Sequence, residues 1–172
     1  MDSIASFSAH KIKTSHFLTV DGILKDGVMY FLFDTGAICP LIGLNSLFSD
    51  DEKEMKSAFE VLLKNEISAQ NILPRAKPLR TANNLPVATY PCVSHNVSIE
   101  GTNGMDFYFD FSFHDISLPL LGTSFTDDCS YSHSINGSLI ITGMKNNAGS
   151  GFYMDYNVLD FDSVIEKFSD PN

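Results

Sequence analysis

One stretch of this sequence places an ionisable side chain where burial would be expected. In Leu32-Phe33-Asp34-Thr35-Gly36-Ala37, an apolar run leads directly into a carboxylate, a hydroxyl and a glycine. Burying a carboxylate costs free energy unless the group has a partner or a task. Gly36 permits a tight turn after Asp34, and the Thr35 hydroxyl can bond backbone groups. These residue types suit a cradle for one reactive carboxylate, although a plain β-turn is the commoner role of a lone Asp-Thr-Gly.

A second motif, Leu120-Leu121-Gly122, lies further along the chain. Asp-Thr-Gly-Ala at an expected strand end, followed later by two apolar residues and a glycine, resembles the retropepsin-like aspartic proteases. The resemblance covers roughly residues 14–125 and depends on both motifs, since either alone is weak evidence. It implies that Leu120, Leu121 and Gly122 pack behind the loop that carries Asp34.

The resemblance also implies a shared active site on a two-fold axis, to which each subunit contributes Asp34. Thr35 would make cross-subunit hydrogen bonds, and Gly36 and Ala37 would support the loop. Two carboxylates about 3 Å apart cannot both ionise, so the pair holds one proton. One member can then activate a water while the other donates to the scissile carbonyl. The resemblance thus implies an aspartic endopeptidase that uses no metal or other cofactor. Because the chain has no second D-[TS]-G, we expect it to work only as a homodimer.

A flap hairpin that closes over the substrate is a further feature that the resemblance implies. The candidate is residues 80–90, with a turn at Asn83-Asn84; its central residues are Thr81, Ala82, Asn83, Asn84 and Leu85. Such flaps commonly contain glycine, but no glycine occurs here between Gly43 and Gly101. This departure keeps open a non-catalytic dimerisation or peptide-binding module with the same fold. A third interpretation is a protease domain excised from a longer polyprotein.

Hydrophobic periodicity predicts the elements that would position these residues. Short β-branched and aromatic segments predict strands, with hairpin turns at Asp26-Gly27 and at 101–104, and a hairpin that pairs 138–142 with 151–156. Ser49 and Glu52 form a capping box for a mid-chain helix. Its expected buried face comprises Met55, Ala58, Phe59, Leu62 and Leu63, and a terminal helix is expected at 160–168. We therefore predict a mostly-β fold, a closed retropepsin-like barrel or sandwich with these two helices.

Length and composition indicate one domain with a substantial core. The chain has 172 residues, of which 44% are hydrophobic. We expect an N-terminal arm (1–13), a protease domain (14–128) and a C-terminal extension (129–172) packed on the same domain. The net charge of −10 argues against a nucleic-acid partner, so the expected partners are a second copy of the chain and a peptide or protein substrate.

Cysteine and histidine spacing argues against a disulfide framework and against a metal site. The three cysteines are widely spaced, which favours free thiols in a reducing compartment, and the histidines lack metal-like spacing. The N-terminus lacks the pattern of a secretory signal, and no apolar run is long enough to span a bilayer. We expect a cytoplasmic or otherwise intracellular protein without membrane contact.

Overall fold

The computed structural model describes residues 9–18, 24–34, 36–48, 50–69, 79–80, 83–99, 102–116, 119–133 and 139–169. Ten strands and three α-helices lie within these ranges. The strands are β1 (Ala9–Leu18), β2 (Leu24–Leu32), β3 (Leu41–Gly43), β4 (Leu79–Arg80), β5 (Pro86–Val87), β6 (Thr89–Ile99), β7 (Thr102–Ser112), β8 (Cys129–His133), β9 (Leu139–Met144) and β10 (Leu159–Asp160). The helices are α1 (Lys53–Ala69), α2 (Thr123–Thr126) and α3 (Phe161–Ser169).

The main sheet has the strand order β2-β1-β6-β7-β3, and β10 pairs with β6 beside this path. Neighbours are antiparallel except for the parallel pairs β3–β7 and β10–β6. The long β6–β7 hairpin supplies Phe107, Phe109 and Phe111, all buried on one face because side chains alternate along a strand. Phe161 of α3 packs on Phe109 with ring centroids 5.2 Å apart. The C-terminal helix is therefore part of the main core.

The fold is mixed α/β rather than mostly β, and the described strands do not close into a barrel. Its outer strands, β2 and β3, are not neighbours in the sheet. Leu120 alone bridges the two within the described ranges, parallel to Leu32 and antiparallel to Leu41. A single bridging residue supplies too few ladder hydrogen bonds to act as a closing strand. The expected mid-chain and C-terminal helices are both present, and the structure adds a further one-turn helix, α2.

The hairpin predicted to turn at Asp26-Gly27 is wrong, because β2 runs through this dipeptide and pairs with β1 instead. Both residues lie inside β2, and Gly27 pairs with Thr14 across the ladder. Residues 19–23, which connect β1 and β2, lie outside the described residues. An irregularity between Thr14 and Phe17 accompanies the pairing, in line with the role of glycine at bulges. The predicted β6–β7 hairpin is confirmed, but Thr102 to Gly104 belong to β7 rather than to the turn, and Thr102 pairs with Ile99.

The mid-chain helix is confirmed, but its buried face is narrower than predicted. A 3-10 turn at Asp50–Glu52 leads into α1; Ser49, the predicted cap, lies outside the described residues. The buried residues are Phe59, Leu63 and Ile67, a single i, i+4 row. Met55 and Leu62 are 38% and 52% exposed, and Ala58 is also exposed. Only the row that faces Phe48 and α3 is covered, as the rings of Phe48 and Phe168 on Phe59 show.

The C-terminal extension differs from its predicted hairpin. β9 pairs with β8 instead of 151–156, and residues Ser150–Tyr153 form a 3-10 turn. Gly149 begins this turn at φ +85°, and its N–H donates to Asp128 Oδ2 at 2.9 Å. Helix α3 is confirmed close to its predicted bounds. The segment contacts the rest of the fold because β10 pairs with Cys92 and Val93 of β6.

The expected N-terminal arm overlaps the main sheet. β1 begins at Ala9, which pairs with Leu32, and Ile12 pairs with Ile99 of β6. Residues 9–13 are therefore sheet residues, and residues 1–8 lie outside the described ranges. In the ranges that the structure describes, no helix has the length and apolar character needed to cross a membrane.

Candidate active site

Asp34 follows the end of β2, two residues before the exposed Gly36. Phe31 and Phe33 on either side of Leu32 are buried, and Asp34 itself is half-buried. The loop that follows, residues 34–40, is called the Asp34 loop below; Thr35 is outside the described residues. The Gly36 N–H donates to Asp34 Oδ1 at 2.8 Å, and the Ala37 N–H donates to the Asp34 carbonyl at 3.1 Å. The carboxylate is thus held by the backbone of its own turn.

A side chain at Gly36 would contact the Asp34 carboxylate. A Cβ at this position would lie 3.2 Å from Asp34 Oδ1, the oxygen that accepts its N–H. A larger residue would press on the carboxylate that the turn orients. The sequence-predicted role of Gly36 in supporting the loop therefore has a geometric basis in the observed turn.

The second motif lies directly beside the Asp34 loop. The Leu32 N–H donates to the Pro119 carbonyl at 2.7 Å, and the Leu121 N–H donates to the Leu32 carbonyl at 2.9 Å. Leu120 and Leu41 exchange two further hydrogen bonds, both of 2.9 Å. Residues 119–121 therefore run between the strand that enters the loop and the strand that leaves it.

Gly122 makes the closest approach in this region. Its backbone has φ +74° and ψ 156°, a conformation that is essentially restricted to glycine. A Cβ here would lie 2.2 Å from the carbonyl carbon of Cys39 and 2.4 Å from its carbonyl oxygen. The two backbones can pack together only because Gly122 has no side chain.

The first turn of α2 continues the contact. The Thr123 N–H donates to the Ala37 carbonyl and the Ser124 N–H to the Ile38 carbonyl, both at 2.9 Å. These amides belong to the helix N-terminus, where N–H groups have no intrahelical acceptor. The Thr123 hydroxyl donates to the Ala37 carbonyl as well, at 3.3 Å. The carbonyl groups of the Asp34 loop thus accept hydrogen bonds from the N-terminal N–H groups of α2, and these hydrogen bonds hold the loop in place.

Asp110 is a functional candidate that no local sequence signal identified. It is fully buried on β7, and its N–H donates to the Pro40 carbonyl at 2.8 Å. Its carboxylate accepts hydrogen bonds from the hydroxyls of Thr89 at 2.6 Å and Tyr153 at 2.8 Å, and from Cys39 Sγ at 3.5 Å. Tyr108 and Asp110 lie on the same face of β7, and Tyr153 covers this face by stacking on Tyr108 with ring centroids 5.7 Å apart.

Ionisation of the groups near Asp110 is suppressed. Burial raises the pKa of Tyr153 well above its usual range, and its neighbours Cys39 and Asp110 raise it further. Burial also raises the pKa of Cys92, with Asp110 as a second cause. Tyr153 therefore stays a hydroxyl donor to Asp110. Cys39 is a buried thiol whose Sγ contacts Asp110.

The flap candidate forms a short hairpin. Leu79 pairs with Val87 and Arg80 with Pro86; Thr81 and Ala82 lie outside the described residues. Asn84 has φ +62°, which asparagine tolerates, and its carbonyl accepts a hydrogen bond from Arg80 Nη1 at 3.0 Å. The predicted turn at Asn83-Asn84 is therefore confirmed. Among the described residues, neither asparagine hydrogen-bonds to the Asp34 loop.

Two large apolar side chains are exposed on these segments. Ile38, in the Asp34 loop, is 55% exposed, and Leu85, next to the hairpin turn, is 60% exposed. Behind the loop, the Tyr131 ring of β8 packs edge-on against the Phe33 ring, with the two ring centroids 5.3 Å apart. The exposed side chains are available to an apolar ligand or a second protein surface.

Other groups offer little for catalysis. His95 Nδ1 lies 2.7 Å from Asp106 Oδ1 and forms a surface ion pair. In the described part of the chain, no three His, Cys, Asp or Glu side chains come together as a metal site. Comparison of this chain with protein-family models, with curated proteins and with solved structures finds no match.

Proposed function

We propose that this protein is an aspartic endopeptidase of the retropepsin-like type, in which Asp34 from each of two chains forms the catalytic dyad. The observation that carries the proposal is the fixed Asp34 loop. Gly36 orients the carboxylate, and residues 119–124 hold the loop backbone through hydrogen bonds to Leu32, Ala37, Ile38 and Leu41. A catalytic carboxylate needs such pre-organisation, because reorientation during the reaction would raise the barrier.

The dyad performs hydrolysis with one shared proton. The ionised carboxylate takes a proton from a water, whose oxygen bonds to the scissile carbonyl carbon, while the protonated carboxylate donates to the carbonyl oxygen. The tetrahedral gem-diol then collapses: the C–N bond breaks, the protonated carboxyl group delivers its proton to the leaving nitrogen, and one gem-diol hydroxyl returns its proton to the other carboxylate, which restores the singly protonated dyad. The products are a carboxylic acid and an amine. One Asp34 cannot serve as base and acid at once, so the site requires two chains.

The hairpin at 79–87 is the proposed flap, and Leu85 and Ile38 are proposed to contact the apolar side chains of an extended peptide. Both side chains expose more than half of their surface, so binding a peptide would remove apolar area from water. In the retropepsin-like arrangement that we propose, the 119–121 segment occupies the gap between β2 and β3 at which a barrel would close.

The first test replaces Asp34 with asparagine. Asp34→Asn keeps the side-chain shape but removes the titrating carboxylate, so peptide cleavage should be lost while the fold is retained. Asp155→Asn, at an exposed position, is the matched control and should cleave like the parent. A mixed peptide library, digested from mildly acidic to neutral pH, provides the assay. Equal cleavage by Asp34→Asn and the parent would overturn the aspartic mechanism.

Mixing the two chains tests whether the site is shared. When an equal amount of Asp34→Asn is added to a fixed amount of parent and the subunits exchange, parental activity should fall to about half, because mixed dimers are inactive. If each chain carried a complete site, the added variant would leave activity unchanged. The pH–rate profile should be bell-shaped on the acidic side, since only the singly protonated pair is active.

Inhibition separates this mechanism from others. A peptide with a hydroxyl-bearing tetrahedral carbon at the scissile position should bind much more tightly than a substrate, because it imitates the gem-diol. A chelator should have no effect. A well-folded dimer that cleaves no peptide at any pH would favour the non-catalytic binding module instead.

A further inference from the structure

A buried carboxylate lies directly behind the Asp34 loop. Both oxygens of Asp110 have hydrogen-bond donors: the Thr89 hydroxyl on one, and the Tyr153 hydroxyl and Cys39 thiol on the other. An ionised carboxylate only accepts hydrogen bonds, so this set of donors matches the charged form. Burial of such a charge is costly unless its hydrogen bonds are made. The arrangement of donors is therefore expected to be tightly constrained.

Two of the contacts of Asp110 are with the Asp34 loop. Cys39 provides a thiol donor from within the loop, and Pro40 accepts the Asp110 N–H at 2.8 Å. The next residue, Leu41, starts β3 and is paired in parallel with Asp110. The backbone of Cys39 is also the surface on which Gly122 packs. Asp110 thus holds this segment in two ways, through its backbone N–H to Pro40 and through its carboxylate to the Cys39 thiol.

Tyr153 brings the C-terminal segment into this arrangement. It lies in the 3-10 turn Ser150–Tyr153, whose start is fixed by the bond from Gly149 to Asp128. The Tyr153 ring stacks on Tyr108 of β7, and its hydroxyl reaches Asp110. The extension that follows the second motif thus contributes a hydrogen-bond donor to the carboxylate behind the loop.

We propose that Asp110 is a positioning residue for Asp34, and that Tyr153 makes the C-terminal segment part of the active-site support. This inference rests on the proposed peptidase function. Asp110 touches no reacting atom; it acts by holding Cys39 and Pro40, and with them the backbone of the Asp34 loop. Small displacements of a catalytic group suffice to lower the rate of the chemical step.

The test compares three variants that remove parts of the network with one that does not. Asp110→Asn removes the charge at constant size, Tyr153→Phe removes one hydroxyl, and Thr89→Val removes the other. Ser94→Ala is the control. Ser94 lies on the same strand as Thr89, and its buried hydroxyl donates to a different carboxylate, that of Asp162, at 2.7 Å. Each variant is assayed at a temperature at which it is fully folded.

Two readouts are measured on each variant. The first is peptide hydrolysis: kcat should fall about tenfold in Asp110→Asn and about threefold in Tyr153→Phe, with KM within about twofold of the parent, because transition-state alignment is lost and substrate binding is not. The second is backbone hydrogen exchange of residues 36–41, which should accelerate in the same variants. Ser94→Ala should change neither.

The two readouts distinguish the failure of this proposal from that of the proposed function. Unchanged kcat in Asp110→Asn and Tyr153→Phe would overturn the positioning role, even if both variants lose stability. If the parent cleaves no peptide, the peptidase proposal fails, and hydrogen exchange alone then decides whether Asp110 holds the loop. Unchanged exchange of residues 36–41 in Asp110→Asn would reject it. The two hydroxyl deletions keep the test valid if Asp110→Asn does not fold.

Discussion

Replacement of Gly122 with alanine should lower the free energy of unfolding by about 2–6 kcal/mol. The backbone at Gly122 has φ +74° and ψ 156°, and forcing another residue into this region costs about 1–3 kcal/mol. The new Cβ would also lie 2.2 Å from the Cys39 carbonyl carbon, so one backbone must move. Overpacking of this kind costs about 1–3 kcal/mol more. The sum is a large share of the roughly 5–15 kcal/mol that stabilises a typical domain.

Urea unfolding of three alanine variants separates the two contributions. Gly104→Ala shares a positive φ, +70°, but its Cβ would meet nothing within 4 Å, so it measures the backbone cost alone. Gly151→Ala also enters open space and has no positive φ; it should change the midpoint little. All variants are compared at one protein concentration, because dimerisation would make stability concentration-dependent. If Gly122→Ala costs no more than Gly104→Ala, the close packing on Cys39 is refuted.

Two further predictions concern titratable side chains. The Asp106 hydrogen bond raises the pKa of His95 above its ordinary value of 6.5, so the pair adds stability that is fully present below that pH and is lost as the pH rises through the folded-state pKa. Since both side chains are nearly half exposed, His95→Gln should lower the free energy of unfolding by only about 0.2–1 kcal/mol near pH 5.5, and this difference from the parent should vanish in alkaline solution. A series of unfolding measurements in which the difference grows with pH would contradict this. Burial, and secondarily the charge of Asp128, raises the pKa of Cys129 to about 11, so its alkylation at about pH 8 should be roughly a hundredfold slower than that of a free cysteine, and a rate within tenfold would be inconsistent.

Elements whose signals are local were predictable from the sequence. The Asn83-Asn84 turn, the β6–β7 hairpin and the two long helices depend on residues a few positions apart. The hairpin turn predicted at Asp26-Gly27 was wrong because the same dipeptide can form a turn or lie within a strand. Pairing of Gly27 with Thr14 on another strand decided between these outcomes.

The buried face of α1 shows a second limit. Periodicity defined a wide apolar stripe, but it could not say which edge of that stripe would be covered. Phe168 of α3 and Phe48 pack on Phe59, and Lys167 of α3 pairs with Glu66, so α1 is covered along the row of Phe59. Leu62 stays exposed because the described neighbours of α1 pack on the Phe59 side.

The sequence by itself determined that a carboxylate follows an apolar strand, with a glycine placed to bind it. That contact joins Asp34 to Gly36, two residues apart, so it depends on one turn. Tertiary structure alone decided what stands behind the turn. Asp110 meets Tyr153 and Cys39 across 43 and 71 residues of chain, and Gly122 meets Cys39 from a different element. Local propensity cannot specify such contacts, because strand pairing and helix docking bring distant residues together only in the complete fold.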